Sequence, residues 1–293
     1  MNAYRIAGIT IESTTYRQLT TISVDPGIEK MINTGGQVDA VFSAIGRQRP
    51  MCRFSSPNLG LFMGLAGASG AAITATVVVY FAKLVHGGTV DYTACFKATF
   101  NDGMFVLRKA SASNGAEGSA EYELYATYDG TNAPVIFAGS ATCPAEGGTV
   151  AKFTNGPFKI GSTTIETQSS EFDTGFDIGQ YGINGEVYDR AACILARKPM
   201  MRVQTLDLGA IATLGAGGTG DDVTMFFTKK SNQAANVANA TEEHVSLVGA
   251  LAHITPGAIE GSEGREATGS IEAQLLYNLT DAIVVIDTTA AIA

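Results

Sequence analysis

Short runs of alternating apolar and polar residues, punctuated by glycine, recur along this chain. Residues 4–11 and 158–166 begin the two halves with such runs, and each predicts a strand. In Arg47-Gln48-Arg49-Pro50-Met51-Cys52-Arg53-Phe54, Arg49 and Arg53 fall on one face, Cys52 and Phe54 on the other. Lys198 and Arg202 share a face in the same way, with Met201 and Val203 opposite. Alternation at both places predicts a strand, and the proline puts it at an edge, a bulge or a strand's beginning. Ser56-Pro57 reads as a helix start, serine at the N-cap and proline in the first turn. Leu59, Leu61, Phe62 and Leu65 give that helix an apolar stripe; Leu206, Leu208, Ile211 and Leu214 repeat it after Thr205. Strands are predicted over 73–84 and 223–229. Asn101-Asp102-Gly103 and Asn184-Gly185 predict hairpins. Glu121-Tyr122-Glu123-Leu124-Tyr125-Ala126 alternates again and turns at Asp129-Gly130. Final strands are expected near 134–138 and 282–287.

The chain repeats itself once. Thr10-Ile11-Glu12 returns as Thr164-Ile165-Glu166, 154 residues on. Arg49-Pro50-Met51-Cys52-Arg53 returns as Lys198-Pro199-Met200-Met201-Arg202, and Leu59-Gly60 as Leu208-Gly209, both 149 on. Gly118-Ser119-Ala120-Glu121 returns as Gly269-Ser270-Ile271-Glu272, 151 on. Four collinear blocks argue for a duplicated domain, with loop insertions explaining the drift. Residues 142–157 are rich in glycine and proline, so the expected division is 1–142, a linker over 143–157, and 158–293.

Composition narrows the class. The chain has 293 residues, 45% apolar and only 16% charged, too hydrophobic for a disordered protein. Its 34 glycines, β-branched residues and scattered aromatics suit a mainly β fold. No run of 18 apolar residues offers a membrane helix, and the N-terminus lacks a secretory pattern, so synthesis in the cytoplasm is expected. Cys52, Cys95, Cys143 and Cys193 are widely spaced without a metal-site pattern, and four free thiols are expected. Residues 1–150 carry 10 basic and 11 acidic side chains, net −1; residues 151–293 carry 9 and 17, net −8. Such a balance disfavours a dedicated DNA binder, though not a protein that lies near DNA without holding it.

Candidate chemistry is sparse. Gly215-Ala216-Gly217-Gly218-Thr219-Gly220 matches a dinucleotide fingerprint. It stands after a helix and before a strand, the reverse of what phosphate binding needs, so a helix end and loop explain it. His86, His244 and His253 form no catalytic or metal pattern, and lightly packed or surface positions are expected. No catalytic constellation, cofactor site or metal site is predicted. The repeated cations Arg49, Arg53, Lys198 and Arg202, with the repeated Glu121 and Glu272, read as a contact across a subunit interface; the competing reading is an ordinary polar strand face. Ile28, Met31 and Ile32, in a glycine-bounded segment over 24–36, read as an exposed docking loop, with 177–184 as its counterpart; the competing reading is a loop folded onto its own domain.

The stretch Ser111-Ala112-Ser113-Asn114-Gly115-Ala116-Glu117-Gly118-Ser119-Ala120-Glu121-Tyr122-Glu123-Leu124, with Tyr128-Asp129-Gly130 and Pro134, resembles the C-terminal part of a tail tube protein domain of long-tailed bacteriophages. The second half has Ala273-Gln274-Leu275 in place of Tyr122-Glu123-Leu124. The resemblance implies two tandem β-sandwich or half-barrel domains, each with one short flanking helix. Such domains join edge to edge into rings that stack into a hollow tube. It implies a virion protein, not an enzyme, whose partners are copies of itself, other tail proteins at the tube ends, and double-stranded DNA passing without tight binding, with no membrane. A ring of about six domains, as the resemblance implies, would need three two-domain chains. The 24–36 loop would reach the adjacent ring. The competing class is a β-sandwich binding module, such as a decoration or receptor- or carbohydrate-binding virion protein; the lack of tryptophan disfavours its usual aromatic platform.

Overall fold

A computed structural model describes residues 3–11, 13–33, 42–73, 75–85, 89–144, 151–183, 185–214, 217–232, 234–263 and 266–292. Gly35, Gly36, His86, Asn184, Gly215 and Ala216 lie outside these residues, as does 145–150 of the expected linker. The protein is mainly β. The first half contains β1 (Ala3–Ile11), β2 (Thr14–Tyr16), β3 (Thr21–Asp25), β4 (Ile28–Asn33), β5 (Phe42–Gln48), β6 (Met51–Ser56), α1 (Leu59–Ala66), β7 (Ala71–Ala72), β8 (Val77–Leu84), β9 (Val90–Phe100), β10 (Gly103–Ser113), β11 (Ser119–Ala126) and β12 (Val135–Ala141). The second contains β13 (Phe153–Ile160), β14 (Thr163–Ile165), β15 (Ser169–Asp173), β16 (Asp177–Gly182), β17 (Asp189–Ala196), β18 (Met200–Thr205), α2 (Leu208–Leu214), β19 (Gly218–Lys229), β20 (His244–Glu260), β21 (Thr268–Leu275) and β22 (Val285–Ala290).

The same pairing occurs twice. In the first half the order β2-β1-β8-β9-β12 forms one sheet and β10-β11-β6-β3 packs over it. In the second half the order is β14-β13-β19-β20-β22, then β20-β21-β18-β15. The long strand β20 serves as both β9 and β10: its first part pairs β19 and β22, its end pairs β21. Register fixes the correspondence. Arg53 stands opposite Glu123 as Arg202 stands opposite Glu272, and Ile136 opposite Thr99 as Val285 opposite Val248. Each of these residues reappears 149 positions later.

Register corrects two of the sequence alignments. Glu272 is the counterpart of Glu123, not of Glu121, and Ile271 that of Tyr122. Thr164 lies in β14 and matches Thr15 of β2, whereas Thr10 lies in β1. A further repeat went unread: Asp25-Pro26-Gly27 and Asp173-Thr174-Gly175. In each, the aspartate accepts the glycine N–H at 2.8 Å and the glycine has positive φ, +59° and +55°. A Cβ there would collide with the carbonyl of Arg49 or Lys198, so only glycine fits.

Several local expectations also give way. The expected linker is shorter, because β13 begins at Phe153 and includes Pro157. Asn101-Asp102-Gly103 is a corner: β9 and β10 belong to different sheets and do not pair. Asp102 accepts the Gly103 N–H at 2.7 Å, which closes the bend without strand pairing. The helices begin two to three residues later than read. Ser56 Oγ accepts the Asn58 N–H at 3.2 Å and donates to Gln18 O; Thr205 Oγ1 does the same with Asp207 and Glu166. These hydroxyls therefore tie the β2–β3 and β14–β15 connections to the helix entries. The expected docking loop is a hairpin, β4–β5, and β16–β17 is its counterpart.

Cys95 and Cys143 form a disulfide, with Cα atoms 5.9 Å apart, so the expectation of four free thiols fails. The two cysteines are 48 residues apart in sequence, but β12 lies beside β9 with Ala141 opposite Cys95. Cys52 is free and buried, Cys193 free and exposed. His244 is fully buried, not superficial: Nδ1 accepts the Lys229 N–H at 3.0 Å and Nε2 lies 3.1 Å from Ala238 O.

Candidate assembly interface

The two halves meet edge to edge. β10 pairs with β15 antiparallel, Lys109 opposite Asp173, Ala110 opposite Phe172, Ser111 opposite Glu171 and Ser113 opposite Ser169. One sheet thus runs unbroken from β3 through β6, β11, β10, β15, β18 and β21 to β20. Ala110 and Phe172 point inward and are completely buried. Burying a phenylalanine side chain is worth roughly 1.5–3 kcal/mol. On the opposite face Lys109 pairs with Glu171 at 2.8 Å. The seam's ends are fixed by Thr174, whose N–H donates to Arg108 O and whose Oγ1 donates to Leu107 O, and by Asn114 N–H donating to Gln168 O.

Charges reinforce this joint. Asp189 of β17, 1% exposed, receives Arg47 Nη2 at 2.6 Å and Arg49 Nε at 3.0 Å from the first half. Its buried charge is compensated by two guanidinium groups, the condition under which a buried carboxylate is tolerated. Glu123 accepts Arg53 Nε at 2.7 Å, Arg108 Nε at 3.1 Å and the Tyr125 hydroxyl. Burial, with the Glu123 carboxylate beside it, holds the Tyr125 phenol well above its ordinary pKa. Arg108 continues across the seam, donating from Nη1 to Phe176 O at 2.6 Å.

Helix α1 is the second element of the joint. Phe62 packs edge-on against Phe54 and Tyr16 in its own half. The helix's other side lies on the second half, with Gly60 against Phe153 and Val245 and Gly64 against Thr288. Leu59, Phe62, Met63 and Ala66 are all buried as a result.

The same surfaces recur at their twin positions, uncovered among the described residues. Among the described residues β3 pairs only with β6, which leaves its outer edge open. Its residues run exposed, half-buried, exposed, half-buried, exposed; the matching residues of β15 are each one step more buried. At the other end, residues 256–260 of β20 pair with β21 alone. Ile259 stands where Ala110 stands in the first half, yet it is 59% exposed. α2 buries only Ile211, and Ala212, the counterpart of buried Met63, is exposed. The surface matching the seat of α1 is an aromatic patch. Tyr4, Phe81, Phe96 and Phe137 are exposed or half-buried, with Phe96 stacked on Phe137 at 5.7 Å between ring centres. Of their counterparts, Phe153, Phe227 and Val245 are buried and Ile286, the twin of Phe137, is half-buried.

The residues singled out from sequence divide among these features. Arg49 binds Asp189 across the internal joint, and Glu29 at 3.8 Å. Arg53 binds Glu123 within the first half; Arg202 binds Glu272 at 2.9 Å and Glu171 at 3.7 Å within the second. Lys198 is exposed, and its N–H reaches Gly175 O, repeating Arg49 and Gly27. Glu121 is exposed, opposite Lys109 and Ser55. Ile28, Met31 and Ile32 project from the β4–β5 hairpin with side chains 45–60% exposed. The matching hairpin exposes Tyr181 and Leu195, and Ile183 at its turn. The hairpins also touch, Gln48 N–H donating to Val187 O at 2.8 Å. Sequence reasoning missed Asp189, Lys109, Glu171 and Phe172; only the repeated Asp-x-Gly, which ends β3 and β15 alike, marked the edge they form.

No cluster of three histidine, cysteine or acidic side chains suited to a metal occurs among the described residues, and no helix there is long and apolar enough to cross a membrane. Comparison with protein-family models and with curated proteins gives no match.

Proposed function

We propose that this chain is a structural subunit of a hollow tube like the tail tube of long-tailed bacteriophages. Three copies close into a ring of six similar units, and rings stack into a conduit for DNA. The observation that carries the reading is the unbroken sheet. It crosses from one half to the other at β10–β15 and, among the described residues, leaves two edges open, β3 and the last residues of β20, of the kinds already joined there. Open strand edges invite another chain, and a head-to-tail contact that repeats closes into a ring when its rotation allows. The apolar hairpins carrying Ile28, Met31 and Ile32, and Tyr181 and Leu195, suit contacts between stacked rings or with other tail proteins at the tube ends. A formal net charge of −9 lets DNA pass without being held. The Cys95–Cys143 disulfide suits a particle that works outside the reducing cytoplasm. Negative-stain microscopy of the purified protein tests this: hollow rings or tubes are expected, and dispersed single particles at every concentration would favour a binding module instead.

A further inference from the structure

The internal joint supplies a template for the contact between copies, and we infer that β3 of a second copy pairs antiparallel with the end of β20, with Ala258 opposite Asp25, Ile259 opposite Val24 and Glu260 opposite Ser23. This inference rests on the ring reading and gives it a register. Two correspondences generate it. β20 follows β10 by 149 residues: Ile259 faces Gly269 as Ala110 faces Ala120, and Glu260 faces Thr268 as Ser111 faces Ser119. β15 follows β3 by 148: Phe172 faces Met201 as Val24 faces Cys52, and Glu171 faces Arg202 as Ser23 faces Arg53. Substituting these into the observed pairs Lys109–Asp173, Ala110–Phe172 and Ser111–Glu171 gives the register above.

The side chains fit the substitution. Inside the chain a small residue, Ala110, meets a large one, Phe172. Between copies Ile259 meets Val24, so two medium side chains fill the same position. Ile259, 59% exposed, would be covered, and half-buried Val24 would become as buried as Phe172. The second contact follows from α1. Gly60 rests on Phe153 and Val245, whose counterparts are Tyr4 and Phe96; Gly64 rests on Thr288, whose counterpart is Gly139. α2 of one copy therefore sits on the Tyr4–Phe96–Phe137 patch of the next, which would cover Ala212, the counterpart of buried Met63. The polar clamps of the internal joint do not recur. Ala258 replaces Lys109, Ser23 replaces Glu171, and Ala196 replaces Arg47. The contact between copies is the more apolar of the two and has fewer ion pairs.

Cysteine cross-linking tests the register. Arg108 and Thr174, and Asn114 and Gln168, are hydrogen-bonded pairs of the internal seam, which makes Ser111–Glu171 a non-hydrogen-bonded pair. Such partners have Cα atoms about 4.5 Å apart, within disulfide reach. Their counterparts are Glu260 and Ser23, seven strand steps apart in one chain's sheet, so they cannot bridge within a chain. The intact protein carrying E260C and S23C, with exposed Cys193 changed to serine, is oxidised and run without reductant. A ladder ending at a covalent trimer is expected, and E260C with D25C, slipped by two residues, should stay monomeric. Rings that cross-link only through the slipped pair would overturn the register and leave the ring reading standing. Absence of both rings and cross-links would overturn both. A ladder running far beyond three chains would uphold the register and overturn the three-chain ring.

Discussion

Helices α1 and α2 come from matching stretches of the two halves, yet one is packed on two sides and the other on one. Met63 is buried where Ala212 is exposed. β15 and β3 differ in the same sense, and so do Phe153 and Tyr4. Every difference has one direction: the surface inside the internal joint is covered, and its twin at the chain's end is not. The chain therefore contains a finished joint, and the twins of its two sides lie apart and uncovered among the described residues. The finished joint is large and clamped by charge; the unfinished one exposes an aliphatic edge and an aromatic patch. Exposed surfaces of that extent are seldom left open in a monomer.

Substitutions at twin positions break the comparison most sharply. Phe172→Ala should lower the stability of the single chain by about 3–5 kcal/mol, because it opens a cavity in a closed seam. Val24→Ala, at the twin position, should cost the monomer less than about 1 kcal/mol and weaken assembly instead. Urea unfolding of the two variants below and above the assembly concentration separates these effects. Asp189→Ala should cost about 1–3 kcal/mol, since it removes the buried carboxylate that Arg47 and Arg49 share in the internal joint. An effect below 1 kcal/mol would mean that solvent already screens these charges. Met63→Ala should cost about 2 kcal/mol in the monomer, whereas Ala212→Met should leave the monomer unchanged, as its thermal melt would report.

Tyr122 sharpens the same comparison within a core. Its hydroxyl is buried without a hydrogen-bond partner, and burial pushes its pKa well above the ordinary value. Its twin is Ile271, which has no such group to satisfy. Tyr122→Phe should therefore be neutral or stabilising by up to about 1 kcal/mol in chemical denaturation. Thiol counting is the smallest test. Native protein should react at Cys193 alone, because burial pushes the Cys52 thiol up to about 12. Denaturation without reductant should release two thiols, and reduction four. Four without reductant would remove the disulfide.

Much of the pairing was legible in the sequence because register is kept by inward-facing residues. The alternation Met51-Cys52-Arg53-Phe54 returns in Met200-Met201-Arg202-Val203 with no shift, and the two strands occupy the same place. What was misread depends on partners remote in sequence. Asn101-Asp102-Gly103 has turn chemistry, which specifies a bend and not whether the flanking strands pair. Ile28 and Ile32 fall on one face of β4 and Met31 on the other, so apolar residues on both faces hide the period of two; the bulge lies opposite, at Gly46 of β5. Cys95 and Cys143 meet only because β12 folds back on β9. Beyond the Asp-x-Gly that ends β3 and β15, the seam carries no local mark, since an edge strand and its partner need only be compatible in length and face.

The proposed ring has one defining symmetry. If each chain supplies two like units and the outer contact repeats the inner one, end-on images of an assembled ring should show six similar lobes. Averaging without imposed symmetry should then leave a three-fold term, because alternate lobes differ in sequence and charge. A ring of strict six-fold symmetry holding six whole chains, or a particle whose chains meet without continuing the sheet, would contradict it.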